Sequence, residues 1–98
     1  MKQYTTHNQT AKLIELGFEK PRLLYFGNNT IGHYAYTIGE LIEMLPKEFD
    51  GELLEIAPVT LSYAKWVVRY PYGIIVYKNE LVDALYDMII MLKEEGVI

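Results

Sequence analysis

The stretch Asn79–Ile98, NELVDALYDMIIMLKEEGVI, decides the fold. It is the longest helical pattern in the chain and carries its densest run of apolar residues. Asn79 is placed as an N-cap, where its side-chain oxygen can accept from an orphan backbone N–H. Glu80 follows in the first turn and Lys93 lies near the far end, both suited to the helix dipole. Gly96 is placed to turn left-handed and stop the helix. Leu81, Leu85, Met88, Ile89 and Leu92 repeat with the rhythm of a buried stripe, flanked by Val82 and Ala84. Asp83, Asp87 and Glu94 cluster opposite, yet Ile90 falls among them and Tyr86 and Met91 lie at the edges. This apolar arc is wider than one sheet face requires. Either the helix is covered on two sides or part of it meets a partner.

Ninety-eight residues make a single domain, 1–98, large enough for a modest core. Hydrophobic residues at 51% and charged residues at 22% suit a folded globule and argue against disorder. Without cysteine there are no disulfides, thiolate chemistry or zinc ribbons. The polar opening MKQYTTHNQT does not read as a signal peptide, and no run reaches the ~18 apolar residues of a membrane span. A cytoplasmic setting is the expectation. The net charge of −4 disfavours a broad electrostatic grip on nucleic acid. Nine tyrosines is a high count, and tyrosine suits half-covered sheets and interfaces.

Working back from the helix, Ile74–Tyr77 reads as a short strand feeding directly into it. Tyr63–Tyr70, YAKWVVRY, is the clearest strand: Ala64, Trp66, Val68 and Tyr70 line one face, with Tyr63, Lys65, Val67 and Arg69 on the other. Leu53–Val59 reads as a strand after an Asp50-Gly51 turn, with Pro58 marking an edge or an end. Thr37-Ile38-Gly39-Glu40 is a capping box opening a short helix to Leu45, stopped by Pro46. Leu23–Phe26 and Ile31–Tyr36 form a hairpin around Gly27-Asn28-Asn29. In the second strand Ile31, His33 and Ala35 point one way, Gly32, Tyr34 and Tyr36 the other. A first helix runs from a Thr6 cap through Leu16, ended by Gly17, with Phe18 folding back and Met1–Thr5 frayed. The fold class that follows is α+β. An antiparallel sheet of four or five strands packs against a long C-terminal helix and two shorter helices. Trp66, Val68, Leu41, Ile42, Leu85, Ile89 and Leu92 are the expected core.

Chemistry-bearing constellations are sparse. His7 and His33 lack metal-ligand spacing. Ser62 has no nucleophile frame. Glu80, Asp83, Asp87 and Glu94 share one helix side and read as a solvated face. The run GNNTIG (Gly27–Gly32) lacks the Lys-Ser/Thr ending of a phosphate loop and reads as a turn. Tyr63, Lys65, Arg69, Tyr72, Tyr77 and Lys78 interleave rings and cations near one sheet, a pattern that can stack single-stranded bases.

Three segments also carry a resemblance. YTIGELIEMLPKE (Tyr36–Glu48), ELVDALYDMIIMLKEEGVI (Glu80–Ile98) and the layout of QTAKLIELGFEKP (Gln9–Pro21) resemble small proteins encoded by gut Bacteroidetes and their phages or mobile elements. The resemblance implies an accessory protein that binds another macromolecule. It implies no activity or ligand and transfers no functional residue.

The expectation is therefore a non-enzymatic, protein-binding accessory domain without cofactor or metal, capable of forming a homodimer. Its interaction surface is expected at Tyr86, Ile90, Met91, Tyr63, Tyr72 and Tyr77. The alternative is a single-stranded nucleic-acid binder using the Tyr/Lys/Arg sheet face.

Overall fold

The computed structural model describes residues 1–26, 32–71 and 73–98. It is an α+β fold with the order α1 (His7–Glu15), β1 (Leu23–Phe26), β2 (Gly32–Ala35), α2 (Ile38–Met44), β3 (Glu48–Phe49), β4 (Glu52–Leu53), β5 (Glu55–Pro58), β6 (Trp66–Arg69), β7 (Ile75–Lys78) and α3 (Leu81–Glu94). All pairing is antiparallel, but the strands do not join into one sheet of four or five. They form two hairpins, β1–β2 and β3–β4, and a three-stranded sheet in the order β5–β6–β7.

The expected strand from Leu53 to Val59 is interrupted at Leu54. Asp50 (φ 56°) and Gly51 (φ 82°) both adopt left-handed conformations, the signature of a tight two-residue hairpin turn. Pairing of β3 with β4 closes with Leu54 N–H donating to the Lys47 carbonyl at 2.9 Å, and the Leu54 side chain packs against the core. The chain thus leaves one ladder at Leu54 before it enters the next. The YAKWVVRY strand is likewise shorter than expected. Residues 59–65 form the connection from β5, pinned by Val59 N–H to Lys65 carbonyl at 2.8 Å, and β6 begins at Trp66.

α3 is covered on two sides, by β6 and β7 of the sheet and by α2. Leu81, Val82, Ala84, Leu85, Met88, Ile89 and Leu92 are buried, joined in the core by Leu13, Tyr36, Leu41, Leu45, Val68 and Tyr70. Two expected core residues are not there. Ile42 is exposed, because α2 makes fewer than two full turns and buries one line, Leu41 and Leu45, against α3. Trp66 is half-buried, packed at the margin where β6 begins.

Helix termini follow their local chemistry at four of five well-marked ends. Thr6 and Thr37 both form complete capping boxes, with Gln9 and Glu40 respectively. α1 and α3 end in the same six-to-one arrangement. Phe18 N–H donates to the Leu13 carbonyl at 3.2 Å and Val97 N–H to the Leu92 carbonyl at 2.9 Å, around left-handed Gly17 and Gly96. Asn79 is the exception: the N-cap of α3 is Glu80, with no side-chain cap. The Glu80 carboxylate instead accepts the backbone N–H of Lys2 at 2.8 Å.

That bond belongs to the larger correction. Met1–Thr5 is not frayed. Lys2 Nζ meets the Asp83 carboxylate at 2.6 Å, Tyr4 bridges Thr37, and Thr5 N–H donates to the Tyr36 carbonyl at 3.0 Å. Thr5 and Thr10 are buried polar residues that form a directed chain. Tyr36 N–H donates to Thr5 Oγ1, and Thr10 Oγ1 donates to the Thr6 carbonyl. With Thr10's single proton committed, the 2.7 Å contact between the two hydroxyls has Thr5 as donor. In β2 and its continuation the expected alternation fails at its end. Tyr34 is exposed and Tyr36 buried, its hydroxyl donating to the Glu19 carbonyl. The GNNTIG turn lies largely outside the described residues, and the facing of Ile31 and His33 is not described.

Candidate functional site: the outer face of the three-stranded sheet

Alternation along β6 sends Val68 toward α3 and Val67 and Arg69 away from it. The register then fixes the composition of the outer face. One row across the strands is Ala57–Val67–Tyr77, the next Glu55–Arg69–Ile75. Val67 is only 2% exposed although no helix packs over it among the described residues. It sits on the central strand between Ala57 and Tyr77. Tyr63, from the β5–β6 connection, sets its ring edge-on to Tyr77 with centroids 6.2 Å apart. Tyr63 is 65% exposed, Ile75 44% and Tyr77 39%. Together they form an apolar, partly aromatic surface on the side of the sheet opposite α3.

The six expected surface residues do not make one patch. Tyr63 and Tyr77 lie on this outer face. Met91 is exposed on α3, with the sheet between. Tyr86 and Ile90 are half-buried and pack against the core. Tyr72 lies outside the described residues. Ile75 was missed, although its spacing of two from Tyr77 places both on one strand face.

The cations expected beside these rings are largely engaged. Arg69 Nε meets Glu55 Oε2 at 2.7 Å across the β5–β6 pair, and this partner raises the guanidinium pKa further. Lys78 points to the other side of the sheet and meets Asp87 of α3 at 3.1 Å. Lys65 remains as the exposed cation of this face that forms no ion pair among the described residues.

Asp83 and Asp87 of α3 also have partners. Asp83 accepts from Lys2 Nζ and from Gln9 Nε2 at 2.8 Å. Partial burial pushes its carboxyl up, but the hydrogen bonds from Lys2 and Gln9, with the charges of Lys2 and Lys78, outweigh this and hold it below the ordinary value. Among the described residues no group of three or more His, Asp or Glu side chains is arranged to hold a metal ion. A cleft of about 250 Å³ lies between the end of α1 and α2, lined by Phe18, Tyr36, Glu40, Glu43 and Met44 among others. Arg22 at its rim faces Glu40 and Glu43 at 3.9 and 3.4 Å.

Comparison of the chain with protein-family models, with curated proteins and with solved structures gave no match.

Proposed function

We propose that the chain is a non-enzymatic accessory domain that binds another protein through the outer face of the three-stranded sheet. The observation that carries this reading is the Tyr63–Tyr77 ring pair beside exposed Ile75, on a sheet face that no helix covers among the described residues. Contiguous apolar surface of this kind marks interaction sites, and tyrosine brings large contact area with little side-chain entropy to lose. The resemblance to small phage and mobile-element proteins of gut Bacteroidetes agrees with an accessory role. No helix among the described residues is long and apolar enough to cross a membrane. A cytoplasmic setting belongs to the same proposal.

Single-stranded nucleic acid is the second reading, favoured by the two exposed rings with Lys65 beside them. It is the weaker one because Arg69 and Lys78 are already paired with carboxylates. A mobility-shift assay with single-stranded oligonucleotides at low salt separates the two. Protein binding predicts no shift, and predicts affinity capture from the native host that Tyr63→Lys abolishes. A shift that Tyr63→Ala weakens and that falls steeply with salt would replace the first reading with the second.

A further inference from the structure

We propose that β7 pairs antiparallel with β7 of a second copy about a two-fold axis at Val76, joining two three-stranded sheets into one of six strands. The inference goes beyond the protein-binding reading, which concerns the face of the sheet: here its edge takes a second copy of the chain.

The sheet has two edges, and they differ. Tyr70 N–H donates to the Ile74 carbonyl at 3.0 Å, so Ile74, Val76 and Lys78 turn their backbone groups toward β6. Ile75 and Tyr77 therefore turn theirs to the open side, where no strand pairs among the described residues. On the opposite edge, Val59 N–H donates inward to Lys65, so Glu55 and Ala57 also bond inward while Ile56 and Pro58 face out. Pro58 has no N–H, which removes one of the two outward donors of β5. The β5 edge is blunted against pairing, whereas β7 keeps both of its donors and carries exposed apolar side chains at the same two residues.

Centring the two-fold axis on Val76 makes the strand self-complementary. Ile75 then lies opposite the partner's Tyr77, twice by symmetry, and the outward N–H and C=O groups of all four residues are satisfied. The side chains of these residues form one stripe on the outer face, continued at each end by Tyr63 against Tyr77. Lys78, the only charged residue of the strand, falls opposite the partner's Ile74 and keeps its own Asp87. Moving the axis to Lys78 sets like charges directly opposite each other, moving it to Tyr77 leaves Ile75 facing the partner's Asn79, and moving it to Ile75 or Ile74 leaves Tyr77 or Ile75 facing the partner's Gly73. The charge pattern and the apolar pairing thus select one register.

The test uses the full chain, which contains no cysteine. Val76→Cys places one thiol at the axis, in a non-hydrogen-bonded pair whose Cβ atoms approach within the ~4.5–5.5 Å from which a disulfide closes with small adjustment. Air oxidation is expected to give a covalent dimer with native circular dichroism, whereas Ile75→Cys alone, facing the partner's Tyr77, does not. Light scattering of the unmodified chain over a concentration series is expected to reach the mass of two chains. Tyr77→Pro, which removes an outward donor without removing a hydrogen bond of the β6 ladder, is expected to return one-chain mass with native circular dichroism. One-chain mass throughout overturns the inference, as does a dimer in which Val76→Cys does not cross-link. A dimer dissociated by Met91→Lys but not by Tyr77→Pro also overturns the β7 edge while leaving the protein-binding reading in place. Capture of another protein that needs Tyr63, by a chain that stays monomeric, does the same. Loss of both dimer and capture removes both readings.

Discussion

Thr5 shows how a polar residue earns a place in a core. Its hydroxyl takes the Tyr36 N–H and passes its own proton to Thr10, which passes on to the Thr6 carbonyl. Thr5→Val keeps the shape but leaves the Tyr36 N–H buried without an acceptor, and is expected to cost about 1–3 kcal/mol in urea denaturation. A loss below a few tenths would mean that water replaces the hydroxyl. Leu85 is the apolar counterpart, fully buried between sheet and α2. Leu85→Ala is expected to cost roughly 2–5 kcal/mol through the cavity it leaves. Asp83 adds a pH dependence. Its folded pKa is lowered, so the stability it contributes is present above its unfolded pKa of about 3.9 and is lost as pH falls through the folded value. Lys2→Met should therefore lower the urea midpoint at neutral pH, and the gap to the parent should shrink below that window. A gap equal at both pH values would assign the loss to packing of the Lys2 stem instead.

Among the elements, the short helix α2 depends most on its ends. It spans Ile38–Met44, too short to persist in isolation, and is held by the Thr37–Glu40 box at one end and by packing on α3 along its length. Thr37→Ala is expected to cost on the order of 1 kcal/mol, read as a fall in thermal midpoint. A midpoint equal to the parent's would show that the Tyr4–Thr37 bridge, not the cap, sets the start of this helix. α3 behaves differently. It has no side-chain cap, yet it is the best-buried element, because seven of its fourteen residues lie in the core. For α3 packing replaces capping altogether.

At the scale of the whole molecule, α3 divides the surface into two regions that do not communicate directly. The outer sheet face carries Tyr63, Ile75 and Tyr77, while the helix side carries exposed Met91. Substitution of Ile90 by Lys now reads as a stability change, since Ile90 packs against the core, whereas Met91→Lys tests the helix rim alone. Asp83 and Asp87 of α3 are tied to Lys2, Gln9 and Lys78, which fasten the N-terminal segment and β7 to the helix. Chelator treatment is accordingly expected to leave the melting temperature unchanged, because these carboxylates are already neutralised by protein groups. A clear drop would mean that a bound cation contributes to folding.

Local chemistry by itself determined the helices, both capping boxes, the two glycine-terminated helix ends and the Asp50-Gly51 turn. Each of these is settled by groups within a few residues of one another, so the chain carries the answer locally. The α+β class and the buried line of α3 were legible for a related reason: apolar spacing fixes which face must leave water. Tertiary structure alone decided the rest. Docking of Met1–Thr5 depends on Tyr36, Thr37, Glu80 and Asp83, groups far away along the chain. The candidate surface followed the same logic. Tyr77 and Tyr63 stand on one sheet face only because the β6–β7 register brings them together, and Tyr86 and Ile90 are withdrawn because they pack against the core. Period and composition say that a side chain needs cover; they do not say which distant element supplies it.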